Sequence, residues 1–190
     1  QRLSVNTQGD PILGIPNSVI QLVEFSDFLC PSCQRASTFN PIILAGHRRQ
    51  VAFVFKHFPL DLECNPSIGR MVHPKACQIA AATECAHEQG KFWAFHDLVF
   101  KEGSQYKAAN LKRDAAKLGL DPEAFRTCLQ SGRGLEAVKR DIAEAARLGI
   151  TSTPTYFVNG VRIVGMITPQ MFDELLRALR QSSPAGSRAP

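Results

Sequence analysis

Two cysteines separated by two residues are the part of this sequence best suited to chemistry. Cys30 and Cys33 flank Pro31 and Ser32, and they follow an apolar run that ends at Phe25. If Pro31 is the first residue of a helix, Cys30 occupies the N-cap, where unpaired backbone N–H groups and the helix dipole favour thiolate over thiol. Because thiolate is the reactive form, the spacing predicts a redox-active dithiol in which Cys30 attacks and Cys33 resolves the mixed disulfide.

Half of a zinc site and a plain structural disulfide are the alternatives for this pair. A zinc site needs a second pair of ligands, and no other Cys-x-x-Cys or His-x₃₋₅-His spacing occurs. The five histidines are isolated from one another, so we expect core or surface roles for them and predict no metal or other cofactor. Since Ser32 places no cation beside Cys30, we also expect a less oxidising disulfide than one with histidine at that position.

The apolar pattern indicates which elements position the pair. Residues 19–25 and 51–55 are runs typical of buried strands, with a helix between them that ends at Gly46, which is the order of a parallel βαβ unit. Asn159-Gly160 between two further short strands is a strong hairpin signal. A last helix begins at Thr168-Pro169. The sequence therefore predicts an α/β fold with a four-stranded mixed sheet and helices on both faces.

A long segment of the chain shows helical periodicity alone. Residues 66–148 contain five predicted helices, so we expect an all-helical insertion in a discontinuous domain formed by residues 17–65 and 149–181. Residues 1–16 and 182–190 are polar and punctuated by Gly and Pro, and we expect both to be flexible, the first with at most one short edge strand.

Size and charge exclude several classes of protein. With 190 residues, 44% of them hydrophobic, the chain suits one globular domain with an insertion. The net charge of +5 comes from scattered basic residues without interleaved aromatics, so we expect no nucleic-acid partner. No run of about 18 apolar residues occurs, so we expect no membrane span. The chain starts without Met or a signal-peptide pattern, and we expect a mature or trimmed form.

Four further cysteines favour an oxidising compartment and structural disulfides, with reduced core cysteines as the alternative. Cys77 and Cys85 lie eight residues apart in a helix predicted over 73–89, a separation of roughly 12 Å that excludes a disulfide between them. Either Cys64–Cys77 with Cys85–Cys128 or Cys64–Cys85 with Cys77–Cys128 remains. We favour the first, because Cys64 directly precedes this helix and Cys85–Cys128 would join the first insertion helix to the fourth.

Two distant motifs and the order of elements carry a family resemblance. The strand with Glu24, the Cys-Pro-Ser-Cys motif at 30–33, the helical insertion and the run Thr-Pro-Thr-Tyr-Phe-Val-Asn-Gly at 153–160 resemble the DsbA family of thioredoxin-fold thiol–disulfide oxidoreductases. The similarity covers about residues 17–180. It is greatest to the branch with extra cysteines in the insertion, which includes domains fused or coupled to vitamin K epoxide reductase-like membrane proteins. Ser32 departs from the best-known Cys-Pro-His-Cys form, which leaves the strength of oxidation open.

The resemblance implies roles for residues outside the motif. Pro154 would be cis and pack against the cysteines, while Thr153 would offer its backbone to an extended substrate strand and its hydroxyl to the thiolate. Glu24 would lie below the site and assist proton transfer to or from Cys33. Lys56 matches a buried lysine that faces this acid, so we hypothesise a Glu24–Lys56 pair. The alternative is that Lys56 extends to solvent and Glu24 merely closes its strand.

The resemblance also implies a function. We expect a periplasmic or otherwise extracytoplasmic enzyme that passes the Cys30–Cys33 disulfide to thiol-containing substrate proteins. A membrane quinone-linked partner, of the DsbB or vitamin K epoxide reductase type, would reoxidise it. A reductase or isomerase using the same site and a non-catalytic binding module with a structural Cys30–Cys33 disulfide are the alternatives. A kappa-type glutathione-dependent enzyme is a third, but such enzymes usually lack the second cysteine.

Overall fold

The computed structural model describes residues 2–47 and 50–181. Within them, five strands form one mixed sheet with the order β1-β3-β2-β4-β5, in which β2 and β3 are parallel and the other neighbours antiparallel. The strands are β1 Ile12–Gly14, β2 Ile20–Ser26, β3 Val51–His57, β4 Thr155–Val158 and β5 Val161–Val164. The helices are α1 Pro31–Gly46, α2 Ala76–His87, α3 Phe92–Glu102, α4 Leu111–Lys117, α5 Pro122–Ser131, α6 Arg133–Arg147 and α7 Pro169–Gln181. Short 3₁₀ turns cover Gly103–Gln105 and Ala108–Asn110.

The central strand β2 is covered on both faces. Leu22 packs with residues of α1 and α7 on one face, whereas Val23 and Phe25 pack with Phe157 and with residues of α6 on the other. Because both faces of β2 are buried, its sequence is a nearly continuous apolar run rather than an alternating one. The predicted βαβ unit, the hairpin at Asn159-Gly160 and the final helix are all present.

The N-terminal segment contains the one short edge strand that the sequence allowed, but its other contacts differ from the prediction of a flexible arm. Residues 12–14 form β1, which pairs antiparallel with β3 and makes the sheet five-stranded rather than four-stranded. The backbone N–H of Leu3 donates to the carbonyl of Gly160 at 2.8 Å, and Trp93 Nε1 donates to the carbonyl of Ile12 at 3.2 Å. The arm is ordered because it pairs with what would otherwise be the open edge of β3. The predicted flexible tail, residues 182–190, lies outside the described residues.

Two disulfides cross-link the helical segment between β3 and β4. Cys64 is joined to Cys77, with 6.0 Å between the Cα atoms, and Cys85 is joined to Cys128, with 5.7 Å. These are the pairs that the sequence favours. Because Lys75 adopts a left-handed φ of 75°, α2 begins at Ala76, three residues later than predicted. No helix in the described ranges is sufficiently long and apolar to cross a bilayer.

The predicted Glu24–Lys56 pair is wrong. The parallel register places Glu24 beside Phe55 and Phe25 beside Lys56. Since successive side chains alternate between faces, Glu24 and Lys56 lie on opposite sides of the sheet. The solvent-reaching alternative is also wrong, because Lys56 is 3% exposed and lies over the Phe25 ring.

Lys56 has a structural role instead. Its Nζ atom lies 2.5 Å from Asp10 Oδ2 in the N-terminal segment and 2.6 Å from Asp141 Oδ1 in α6. The lysine therefore joins three parts of the chain on the face of the sheet away from Glu24. This removes Lys56 from the set of candidate catalytic residues.

The Lys56→Met substitution should lower the free energy of unfolding by about 3 kcal/mol, because it leaves the buried Asp141 and the partly buried Asp10 without their cation. Urea denaturation measures this loss. The matched control is Lys139→Met, whose lysine forms an exposed i,i+3 pair with Glu136 and should contribute below about 1 kcal/mol. Equal effects of the two substitutions would contradict the assigned role of Lys56.

Candidate functional site

Cys30 is the N-cap of α1, and Pro31 is the first residue of the helix. The Cys30 backbone is extended, with φ of −76° and ψ of 121°, so the chain turns sharply from β2 into the helix at this residue. Both cysteines of the motif are free thiols; Cys30 is 6% exposed and Cys33 is completely buried. Cys30 therefore keeps a small contact with solvent, whereas Cys33 has none.

The two thiols have opposite pKa shifts. A hydrogen bond from the Cys33 thiol lowers the pKa of Cys30 to about 5, with further donors in the Thr153 hydroxyl and the backbone N–H groups of Cys33 and Ser32. Burial raises the pKa of Cys33 well above its ordinary value, and the neighbouring Cys30 and Glu24 charges raise it further. At neutral pH, Cys30 is consequently a thiolate and Cys33 a thiol, which is the arrangement of a nucleophile and its resolving partner.

The loop before β4 forms the wall of the site. The Thr153–Pro154 peptide bond is cis, and the Thr153 carbonyl oxygen lies 3.7 Å from the Cys30 sulfur. Pairing of Thr155 with Phe25 places this loop beside the end of β2, from which the chain continues to Cys30. The Thr153 hydroxyl is buried and has no oxygen or nitrogen partner in the described part of the chain, so the Cys30 thiolate is its available acceptor.

Glu24 lies at 1% exposure on the face of β2 that packs towards α1. Its Oε2 accepts a hydrogen bond of 2.6 Å from Asn40 Nδ2, and Asn40 Oδ1 in turn accepts one from the Tyr156 hydroxyl at 3.1 Å. Burial raises the pKa of Glu24 to about 7. The charge of this carboxylate also contributes to the raised pKa of Cys33. A carboxyl group that exchanges its proton near neutrality therefore lies close enough to Cys33 to influence its titration.

Two polar residues at this site, Asp27 and His73, were not predicted from the sequence. Asp27 is buried and accepts hydrogen bonds from the backbone of Leu29 and Leu60, each of 2.7 Å. It also lies 2.8 Å from Nδ1 of His73. An aspartate three residues before the first cysteine is a local signal that could have been noticed. The contact with His73 has no such signal, because 46 residues separate the two in the chain.

The described residues contain no cluster of three or more His, Cys, Asp or Glu side chains that could hold a metal ion. Cys30 and Cys33 have each other, Thr153 and the helix N-terminus as partners. The geometry suits exchange between sulfur atoms rather than coordination.

Comparisons with known proteins agree with the site. Residues 21–177 match the DSBA-like thioredoxin domain. Among solved structures, a thioredoxin-like oxidoreductase from Silicibacter pomeroyi superposes with a TM-score of 0.77 at 23% identity, over 93% of this chain and 95% of that one. BdbD from Bacillus subtilis superposes with a TM-score of 0.75 at 24% identity, over 95% and 96%. Together these findings confirm the predicted thioredoxin-like α/β fold with a helical insertion.

Curated relatives are longer proteins. The Na(+)/H(+) antiporter NhaA 3 of Salinispora tropica is 32% identical over 189 residues, which are 98% of this chain and 28% of the relative. The NhaA antiporter of Herminiimonas arsenicoxydans is 32% identical over 179 residues, with 94% and 27% covered. The chain thus spans little more than a quarter of these relatives, and the antiporter activity in their names is not transferred to it.

The low pKa of Cys30 predicts how the reduced protein reacts with iodoacetamide. Alkylation of Cys30 should follow its thiolate fraction and reach half of its maximal rate near pH 5, rather than at the value of about 8.5 for an ordinary cysteine. Mass spectrometry after timed quenching measures the rate. In the Cys30→Ser control, Cys33 should remain unmodified because its sulfur is buried. A midpoint at pH 8 or above would instead support the non-catalytic binding module.

The raised pKa of Glu24 predicts a pH dependence of stability. The unfolded chain loses this proton near pH 4.5 and the folded chain near pH 7, so the folded state binds more protons between these values. The contribution of Glu24 to the free energy of unfolding is therefore complete below pH 4.5 and is lost as the pH rises through 7. The Glu24→Gln protein should lack this loss and be more stable than wild type at pH 8, by on the order of 2–3 kcal/mol.

Urea denaturation at pH 4.5 and pH 8 tests this expectation. The oxidised proteins are used because Cys30 and Cys33 do not titrate when they form a disulfide. The control is Glu123→Gln, since Glu123 lies at an exposed helix start beside Arg126. Parallel pH profiles for wild type and Glu24→Gln would show that Glu24 does not keep its proton to neutral pH.

Proposed function

Since the chain belongs to the DsbA-like thioredoxin domain family, we propose that it is an extracytoplasmic thiol–disulfide oxidoreductase that donates its Cys30–Cys33 disulfide to substrate proteins. Thiol–disulfide exchange is the general chemistry that the family and fold support. The observation that carries the proposal is the opposite state of the two sulfurs, a thiolate at the helix N-terminus and a buried thiol behind it. Such a pair can form and resolve a mixed disulfide at one atom, the Cys30 sulfur.

Exchange proceeds through two sulfur displacements. A substrate thiolate attacks the Cys30 sulfur of the oxidised protein, the Cys30–Cys33 bond breaks, and Cys33 leaves. A second substrate thiolate attacks the substrate sulfur of the mixed disulfide, and Cys30 leaves as a thiolate. Two electrons pass from the two substrate thiols to the Cys30–Cys33 pair. Of the two substrate protons, one ends on Cys33 and the other is released.

Glu24 supports the proton transfer in this scheme. Cys33 must gain a proton when it leaves and lose it when the disulfide reforms, yet its sulfur has no exposure to water. Glu24 is buried, has a pKa of about 7 and carries one oxygen without a hydrogen-bond partner among the described residues. We assign it the role of the group through which the proton enters and leaves.

Thr153 and Pro154 support binding of an extended substrate segment. The cis bond presents the Thr153 backbone beside the Cys30 sulfur. A substrate strand that pairs with this backbone would bring its cysteine to Cys30 through main-chain hydrogen bonds. Such pairing depends little on side chains, so it suits an enzyme that acts on many proteins.

Oxidation of the substrate is the direction that the electrostatics favour. A thiolate with a pKa of about 5 is a stabilised form of the reduced protein. Stabilising the reduced form makes the disulfide a stronger oxidant. The two additional disulfides are in keeping with a periplasmic or other extracytoplasmic location. Repeated turnover then needs an acceptor for two electrons, and we assign this to a membrane quinone-linked partner of the DsbB or vitamin K epoxide reductase type.

The Cys33→Ser protein tests the exchange mechanism. When it is mixed as an activated mixed disulfide with a reduced unfolded protein, it should retain a substrate bound at Cys30, because no second sulfur can resolve the complex. Non-reducing electrophoresis detects the adduct, and Cys30→Ser is the control that should form none. If Cys30→Ser captures as much substrate as Cys33→Ser, Cys30 is not the exchanging residue.

Equilibration of the wild-type protein with glutathione buffers tests the direction. A donor of disulfides should have a potential well above the value of about −270 mV for thioredoxin. A potential near that of thioredoxin would be compatible with thiol–disulfide exchange at Cys30 but would favour a reductase over a donor of disulfides.

A further inference from the structure

The loop between β3 and α2 brings His73 to the candidate site. The backbone N–H groups of Val72 and His73 donate to the carbonyl oxygen of Leu60 at 3.0 and 2.9 Å. The Cys64–Cys77 disulfide closes the same loop. Both constraints act on the backbone close to His73, so the histidine is held in a defined place although it lies outside regular secondary structure.

A buried carboxylate orients the His73 ring. Nδ1 lies 2.8 Å from Oδ2 of Asp27, whose other partners are the backbone N–H groups of Leu29 and Leu60. Because a carboxylate accepts hydrogen bonds, Nδ1 of His73 carries a proton. The ring makes no other hydrogen bond within residues 2–47 and 50–181. The bond to Asp27 raises the pKa of His73 despite partial burial, and the negative charge of Cys30 adds to the rise.

His73 and the residues on both sides of Cys30 line one open groove of about 420 Å³. Leu29 and Pro31 form one part of the lining and His73 another. Because Cys30 lies between Leu29 and Pro31 in the chain, its thiolate lies near the groove that the imidazole lines, and its negative charge acts on His73.

The other cationic side chains that line this groove are more exposed to solvent than His73. Lys75 and Lys107 line the same groove, and Lys75 lies 3.0 Å from Glu63. Both lysines are exposed, whereas the side chain of His73 is 17% exposed. Glu24 acts on Cys33 from the interior. The least exposed cationic side chain of the groove is therefore His73, which is less screened by solvent than either lysine.

We propose that His73, held by Asp27, acts in its imidazolium form to stabilise the Cys30 thiolate, and so supplies from a distant loop the positive charge that Ser32 does not supply within the motif. This inference rests on the proposed function, because it concerns the redox balance of the same two cysteines. His73 acts on the sulfur through its charge and is a positioning residue rather than a catalytic one. Stabilising the reduced form in this way makes the Cys30–Cys33 disulfide more oxidising.

The His73→Gln protein tests the charge directly, because a glutamine amide can still donate to Asp27 but remains neutral. We expect the pKa of Cys30, followed by thiolate absorbance on the full chain, to rise. We expect the equilibrium with glutathione to move toward the disulfide form by about tenfold. His73→Lys, which restores a cation, should return both the Cys30 pKa and the glutathione equilibrium most of the way to their wild-type values. His47→Gln is the matched control, since His47 makes an equivalent 2.8 Å contact with Asp173 at the other end of α1.

A second measurement does not depend on any substitution. By reciprocity, the thiolate must favour imidazolium as much as imidazolium favours the thiolate. NMR titration of the His73 ring in wild type should therefore show a higher pKa in the reduced protein than in the oxidised one, with the His47 ring as the internal control.

Each outcome separates this inference from the proposed function. Unchanged Cys30 pKa and redox equilibrium in folded His73→Gln, or identical His73 titration in both redox states, would overturn the inference while leaving exchange at Cys30 intact. If the wild-type protein itself failed to exchange disulfides, the proposed function would fall, whatever the titration of His73 showed.

Discussion

The hydrogen bond between the two sulfur atoms is the interaction on which the site depends. Cys33 can donate its proton to Cys30 because Cys30 is the N-cap of α1 and Cys33 is the third residue of the helix. Burial keeps Cys33 protonated. The hydrogen bond from Cys33, with smaller contributions from the Thr153 hydroxyl and the backbone N–H groups of the helix N-terminus, keeps Cys30 ionised. Exchanging these environments would exchange the roles of the two cysteines, so the local geometry rather than the residue type decides which sulfur attacks.

The surrounding elements maintain this asymmetry. The parallel β2–β3 pair and the antiparallel β2–β4 pair bring the cis peptide bond to the outer sulfur, while Glu24 on β2 remains in the interior. The buried Cys33 belongs to the same apolar cluster as aromatic side chains of the helical insertion, among them Phe95 and Phe100. Sheet and insertion thus share one apolar cluster around the buried sulfur. The insertion is therefore part of the active-site environment rather than an appended domain.

A buried glutamate and a buried lysine show how the register of the sheet gives residues on neighbouring strands different roles. Glu24 and Lys56 end neighbouring strands and look complementary in the sequence, but a shift of one residue places them on opposite faces. Glu24 consequently has no cation and takes up a proton more readily, whereas Lys56 binds the N-terminal segment to α6. A lysine beside Glu24 would favour the charged carboxylate and oppose the rise in its pKa that burial causes.

The amino-acid sequence alone determined the features that local patterns encode. The position of Cys30 before Pro31, the βαβ order, the helical insertion and the hairpin at 159–160 all follow from residue type and spacing. The length of a helix excluded a Cys77–Cys85 bridge, and the position of Cys64 directly before that helix favoured the pairs that the structure contains. These features depend on interactions between residues close together in the chain, or on distances that one helix sets.

Tertiary structure decided the partners of the charged residues. The pairing of Lys56 with Asp10 and Asp141, and that of Asp27 with His73, join positions separated by 46 to 85 residues. Whether two charges meet depends on the face of the sheet and the path of a loop. A one-residue change of register moves a side chain to the other face of the sheet. The path of the loop that carries His73 is set by long-range contacts such as the Cys64–Cys77 disulfide. The cysteine pair could be predicted from the sequence, but the charged residues that act on its pKa values could not.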